Sequence, residues 1–230
     1  MDSPGQERML EDPLRLDAVA GVAVREGRKR RKIERVLKIM IDQIGSGALL
    51  LLLSPVFCLV GALVALDGGW PIIYRRRVVG TNGEFDAFKF RTMRKDADAI
   101  LAADPILKAE FEQNFKLKND PRLTRLGSFF RKCSLDELPQ LFNVLKGQMS
   151  LVGPRMITAA ELEKYGESKK LMLTVKPGLT GYWQVNGRQK VSYVERVRMD
   201  VYYIQNWNLR MDIRILLQTP LKVLRKEGAY

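Results

Sequence analysis

The apolar positions of this chain fall into three regimes. Residues 44–66 form a continuous apolar stretch without a charged side chain. As one straight helix it would be about 35 Å long, enough to cross a bilayer. Residues 72–79 and 84–91 then flank Gly80-Thr81-Asn82-Gly83. Asn-Gly between two such runs predicts a β-hairpin. Further on, apolar residues recur mainly at helical spacing. Ile100, Leu101, Ile106, Leu107 and Phe111 sit among acids and lysines in 96–115, predicting one or two short amphipathic helices broken near Asp104-Pro105. Asn119-Asp120-Pro121 reads as a turn and 126–132 as a short helix. Leu135, Leu138, Phe142 and Leu145 mark the next helix, ended by Gly147. Ser134 with Glu137 three residues on predicts a capping box at its start. The glycine-rich stretch 176–187 reads as an extended loop. Ser192 and Glu195 predict a second capping box and a helix to about Asn206. Residues 212–226 form a last amphipathic helix, kinked at Thr219-Pro220. The expected fold class is mainly α with a small β-hairpin.

Pro55 sits in the middle of the apolar stretch and removes a backbone donor, so the helix kinks or breaks at Ser54-Pro55. Both flanks are basic: Arg28-Lys29-Arg30-Arg31-Lys32, Arg35 and Lys38 before it, Arg75-Arg76-Arg77 after it. Positive flanks favour the cytoplasmic side at both ends. A re-entrant helix-break-helix meets that demand; a single span does not. On the residues alone the two readings stand even. Lys38, Asp42 and Gln43 lie at the membrane edge of this stretch. The simpler reading of Asp42 and Gln43 is headgroup level, the alternative a role in pinning the start of the helix. Ile33, Val36, Leu37 and Met40 give the basic segment an apolar side suited to anionic headgroups. The expected organisation is a flexible tail over 1–24, a basic interfacial segment and membrane hairpin over 25–67, and a cytosolic catalytic domain over 68–230.

Charge sharpens the picture. Lys and Arg total 39 against 26 Asp and Glu, a net charge of +13, which suits an anionic partner. The chain contains no histidine, which removes Ser-His-Asp triads and His-ligated zinc. Cys58 and Cys133 are isolated and form no Cys-x-x-Cys. No Walker motif or dinucleotide fingerprint occurs.

Two adjacent carboxylates, Asp136 and Glu137, then stand out. At a helix start, backbone N–H groups would favour an ionised Asp136 and attract phosphate. Such an Asp can act as a covalent nucleophile. Glu137 could hold Mg²⁺, and Arg131 and Arg155 could clamp phosphate. Acidic residues in a first helical turn are also commonplace, and capping alone would account for Glu137. The stretch from Lys176 to Arg188 offers glycines for close backbone approach, Trp183 as an aromatic face and Arg188 as charge; a plain loop with a core Trp reads equally well.

The chain resembles the bacterial sugar transferases, monotopic polyprenyl-phosphate phosphoglycosyl transferases. The resemblance covers 38–230. It rests on Lys89-Phe90-Arg91-Thr92-Met93, Asp120-Pro121-Arg122-Leu123-Thr124, the segment from Ser134 to Gly147, Ser150-Leu151-Val152-Gly153-Pro154-Arg155, the segment from Lys176 to Arg188, and Asp200-Val201-Tyr202-Tyr203. It implies that Asp136 attacks a UDP-sugar, expels UMP and passes the sugar phosphate to a polyprenyl phosphate, with Glu137 on Mg²⁺. It places Lys89, Arg91, Arg131, Pro154, Arg155, Gln184, Arg188 and Asp200 at the substrate. It makes Ser54 and Pro55 the break of a re-entrant membrane helix, with the catalytic domain on the cytoplasmic face of the bacterial inner membrane and amphipathic helices at the interface. UDP-glucose and UDP-galactose are the favoured donors, undecaprenyl phosphate the acceptor, and exopolysaccharide, capsule or O-antigen assembly the setting. Membrane lipids are expected partners, nucleic acid is not, and a homodimer is compatible. Two departures occur: Ile39 replaces the arginine of a Lys-Arg-x-x-Asp motif, and Met156 replaces the second proline of a Pro-Arg-Pro turn. The competing class is a non-catalytic membrane-attached scaffold or anionic-lipid-binding protein, which would leave Asp136-Glu137 without a role.

Overall fold

The computed structural model describes residues 28–114, 117, 119–187 and 191–224; the expected tail, 1–24, lies outside them. The chain divides into Met1–Leu37 and a compact unit, Lys38–Tyr230.

Helices α1 (Arg28–Leu52) and α2 (Ser54–Gly68) meet at Leu53 with a bend of 64°. Pro55 falls in the first turn of α2, where its missing N–H costs nothing. Ser54 Oγ donates to the Leu51 carbonyl at 2.8 Å, satisfying an acceptor at the end of α1. Among the described residues no single helix is long and apolar enough to cross a membrane; the bent pair passes that test together. One face of α2 is core: Val60 and Val64 are buried against Phe90 and Phe130. Leu51, Leu52, Leu59 and Leu66 stay exposed, an apolar surface that no element among the described residues covers.

The predicted hairpin is present. Strands β1 (Ile73–Gly80) and β2 (Gly83–Phe90) pair antiparallel, Gly80 opposite Gly83. Gly83 takes a φ of 100°, which the tight turn requires and a side chain resists. Tyr74 faces Lys89, Arg76 faces Ala87 and Val78 faces Phe85, so these six share one side of the ribbon. That side enters the core at Val78, Phe85 and Ala87.

Helices α3 (Ala97–Ala103) and α4 (Pro105–Asn114) break where expected. Asp104 Oδ1 caps α4, accepting from Ile106 and Leu107 N–H at 3.0 and 2.9 Å. A short α5 (Gly127–Lys132) leads to a single 3₁₀ turn, Leu135–Glu137, and then α6 (Gln140–Leu145). The capping box expected at Ser134 does not form. Ser134 adopts the left-handed conformation, φ 56° and ψ 20°, and makes no side-chain cap. Glu137, its expected partner, is drawn instead to Lys89.

Strand β3 (Ser150–Val152) pairs in parallel with β4 (Gly178–Thr180), a second small sheet that the sequence pattern did not announce. Helices α7 (Ala159–Glu163) and α8 (Lys169–Met172) lead to the stretch 176–187, which holds β4 and α9 (Tyr182–Asn186) rather than an extended loop. A Cβ on Gly178 would lie 2.1 Å from the Gly153 nitrogen, and one on Gly181 2.2 Å from the Gly153 oxygen. These glycines let the two backbones touch. Thr158 and Glu161 form a capping box for α7, and Ser192 and Glu195 form the predicted one for α10 (Tyr193–Asn206). The last helix, α11 (Leu209–Leu224), starts ahead of Asp212 and contains Pro220.

Asp42 is not an exposed headgroup residue: it is 6% exposed. Its Oδ1 accepts from Ser150 Oγ at 3.0 Å and from Leu151 N–H at 2.9 Å. Gln43 donates to the Val144 carbonyl at 3.0 Å. Lys38 donates to the Val152 carbonyl at 2.9 Å and to Asp212 at 2.5 Å. The physical cause is β3, whose outer backbone groups have no neighbouring strand on that side and are satisfied by α1 side chains. Lys38, Asp42 and Gln43 pin α1 to the body of the unit.

Candidate active site

Four elements converge on the carboxylate pair. Strand β2 supplies Lys89, the end of α5 supplies Arg131, the 3₁₀ turn supplies Asp136 and Glu137, and the turn after β3 supplies Arg155. Lys89 Nζ lies 2.6 Å from Glu137 Oε1. Arg131 donates from Nε to Thr92 Oγ1 at 3.0 Å and lies 3.9 Å from Asp120. Asp120 also fixes Arg122 through contacts of 2.7 and 2.8 Å. The Arg155 guanidinium lies over the Trp183 ring, 5.5 Å from its centroid. Arg91 donates to the carbonyls of Gly68 and Gly69 at the end of α2.

All of these side chains except Gly68 and Gly69 border one open cleft of about 2280 Å³. Leu49, Leu53 and Val56 from the bent helix pair give it an apolar wall. A charged donor group and an apolar chain could meet in such a cleft.

The pair titrates asymmetrically. Asp136 is 6% exposed. Burial pushes its carboxyl above the usual range, helped by the neighbouring Glu137 charge and opposed by Lys89 and Arg131. Burial also works to raise Glu137, but Lys89 and Arg155 outweigh it and hold that carboxyl below its usual range. The expected lowering of Asp136 by a helix start is thus reversed, because a single buried 3₁₀ turn supplies little dipole and much desolvation. Glu137 carries the firm negative charge, and Asp136 is a less solvated, more basic carboxylate.

Among the described residues no group of three or more His, Cys, Asp or Glu side chains could enclose a metal. Two adjacent carboxylates do fit Mg²⁺, which is typically held by one or two carboxylates together with substrate phosphates.

Residues 33–226 match the family profile described as bacterial sugar transferase. The chain belongs to that family. Among its relatives, the undecaprenyl-phosphate galactose phosphotransferase of Salmonella typhimurium is 49% identical over 205 residues, 87% of this chain and 43% of the relative. The exopolysaccharide production protein ExoY of Rhizobium meliloti is 42% identical over 205 residues, 87% of this chain and 91% of the relative. The UDP-glucose:undecaprenyl-phosphate glucose-1-phosphate transferase of Escherichia coli is 37% identical over 207 residues, 86% of this chain and 42% of the relative. The chain therefore spans less than half the length of the first and third of these.

In this bacterial sugar transferase, Lys89, Arg91, Arg131, Asp136, Glu137, Arg155 and Gln184 share the cleft. Pro154 does not border it and lies instead beside Val79, Ile157 and Met172. Asp200 is fully buried and does not reach the cleft. The Tyr165 hydroxyl donates to it at 3.1 Å. Burial raises its carboxyl to about 7 against the opposing pull of Arg196. The Arg155 backbone and charge also favour its ionised form, so Asp200 lies close to the turn that carries Arg155. Arg188 lies outside the described residues. Ser54 and Pro55 mark the bend, and their neighbours Leu53 and Val56 reach the cleft.

Among the cleft residues that the sequence pattern does not mark as site residues are Arg76, Glu161 and Arg196. In sequence Arg76 shows only as flanking charge, although it is two residues from the core residue Val78 on an alternating strand. The signal for Glu161 is the capping-box pattern Thr158-x-x-Glu161. Arg196 lies on α10, stacked 4.3 Å from the Tyr193 ring centroid.

Proposed function

We propose that this protein transfers a hexose 1-phosphate from a UDP-sugar to a polyprenyl phosphate, through a phosphosugar carried on Asp136. The observation that carries this reading is the buried Asp136-Glu137 pair, ringed by Lys89, Arg131 and Arg155 in a cleft with an apolar wall. The relatives' names support it, since they specify undecaprenyl phosphate with galactose or glucose transfer.

In the first step an Asp136 carboxylate oxygen attacks the sugar-linked phosphorus. The bond from that phosphorus to the bridging oxygen breaks, and UMP leaves with the electron pair. In the second step a polyprenyl phosphate oxygen attacks the same phosphorus, the bond to Asp136 breaks, and the lipid diphosphosugar leaves. The acceptor is already an anion, so neither step requires a histidine base. Arg131 and Arg155 bind and orient the diphosphate. Lys89 holds Glu137 ionised. Bound Mg²⁺, held by Glu137, would neutralise charge on the phosphate oxygens. Desolvated Asp136 gives up little hydration when it attacks, once it is ionised. The bent helix pair is read as re-entrant, which sets the cleft at the cytoplasmic surface of the bacterial inner membrane, within reach of both a soluble nucleotide and a lipid phosphate. UDP-galactose and UDP-glucose are the favoured donors.

Intact-protein mass spectrometry with Mg²⁺ and each UDP-sugar, without acceptor, tests the mechanism. A sugar-phosphate adduct on Asp136 that disappears on adding undecaprenyl phosphate is the expected result. Asp136→Asn should form no adduct and lose at least about a thousandfold in UMP release. Near-normal turnover in that variant would exclude Asp136 as nucleophile. No UMP release by the unaltered protein with lipid present would favour a non-catalytic scaffold.

A further inference from the structure

The three arginines after the apolar stretch are not equivalent. Arg77 lies on the outer side of the ribbon, paired with Glu84 and Asp86 in exposed contacts of 3.1 and 3.3 Å. Arg75 alternates to that same side and is exposed. Arg76 points the other way, on the face that also carries Lys89. Arg76 and Arg77 both border the cleft, but of the two only Arg76 lies on that inner face. The Arg76 side chain is 25% exposed, whereas that of Arg77 is 61% exposed.

A buried acid holds Arg76 there. Glu161 is 3% exposed. Its Oε2 accepts from Arg76 Nη2 at 3.0 Å and from the Thr158 N–H at 3.0 Å. Its Oε1 lies 3.8 Å from Arg196 Nη2. One carboxylate therefore faces two guanidinium groups, and the trio keeps a net positive charge. A guanidinium has five N–H donors in a planar fork, and the bond to Glu161 uses one of Arg76's. A phosphate offers the complementary acceptors and charge.

We propose that Arg76 is a phosphate-binding residue of the cleft and that Glu161 is the positioning residue that aims it. Arg76 and Glu161 line the same cleft as Asp136 and Glu137. The bound group is a phosphate, carried by either the nucleotide sugar or the polyprenyl acceptor. This inference rests on the phosphosugar-transfer reading.

The test is steady-state UMP release with the donor that the unaltered protein accepts, UDP-galactose or UDP-glucose, and with undecaprenyl phosphate, varying each in turn. Arg76→Gln keeps a hydrogen-bond donor for Glu161 while removing the charge. It should raise one KM between about tenfold and a hundredfold, the loss of one charge-assisted hydrogen bond, with kcat changed much less. A rise for the UDP-sugar alone assigns the donor phosphate; a rise for undecaprenyl phosphate alone assigns the acceptor. Arg76→Lys should recover most of the loss, and Glu161→Gln should raise the same KM by less. Arg75→Ala, on the outer side, should leave both KM values unchanged. Thermal unfolding of each variant accompanies the kinetics. Unchanged KM values in a folded Arg76→Gln protein, or a loss confined to kcat, would overturn the inference and leave the mechanism at Asp136 standing. No UMP release by the unaltered protein would remove the transfer reading and this inference with it.

Discussion

Asp136 does its proposed chemistry from an environment that resists its ionisation. The carboxyl must be deprotonated to attack phosphorus, and burial raises its pKa. Below that pKa the proton-bearing fraction grows, so the rate should fall about tenfold per pH unit on the acid side. The acid limb of kcat/KM should therefore lie above the ordinary carboxylate range. Lys89 is the first of the charges that oppose the shift. Lys89→Met should move the limb to higher pH and lower the rate at neutral pH, measured as UMP release between about pH 5 and 9. An unmoved limb would assign it to another group. At this scale the identities of Asp136, Glu137, Arg131 and Arg155 were legible, because they are neighbours in sequence or belong to short recognisable runs. The direction of the Asp136 shift was not, because it depends on what later parts of the chain bury.

Local rules predicted some elements and failed on others for definable reasons. The hairpin, the break at Asp104 and the capping box at Ser192 each depend on residues within a few positions, and each is present. Ser134 obeys the same local rule but loses Glu137 to Lys89, 48 residues away in sequence. Strands β3 and β4 are three residues each, too short to show a period. What betrays them is the glycine set at 153, 178 and 181, which signals backbone contact rather than a loop. Gly178→Ala should cost about 3 kcal/mol, since backbone cannot yield to the added methyl as a side chain can. The bridge between Arg155 and Gly178 ties that cost to the site. A denaturant midpoint shift accompanied by a higher donor KM is expected; an unchanged midpoint would mean that the backbones separate freely.

For the whole molecule, the basic flanks and the 64° bend favour a pair of helices that enters and leaves the lipid on one side. Tags placed at either end should be shielded from a membrane-impermeant reagent in intact cells and become reactive on lysis. Labelling of the N-terminal tag alone in intact cells would restore a spanning topology. The hydrophobic stretch was legible as a unit from sequence, but its attachment was not. Composition favours headgroup level for Asp42 and Gln43 over pinning of the helix; in the structure they and Lys38 bind β3, α6 and α11, because side-chain partners far along the chain leave no periodic trace.

Leu49, Leu53 and Val56 line the cleft, while Val60 and Val64 complete the core under Phe90 and Phe130. The hydrophobic helices are consequently not a detachable anchor. A version cut back to begin beyond Gly68, the usual route to a reagent that needs no detergent, would leave the cleft without one wall and the hairpin without its underside. On the re-entrant reading proposed above, biochemistry on this protein calls for a lipid disc or micelle around an intact helix pair.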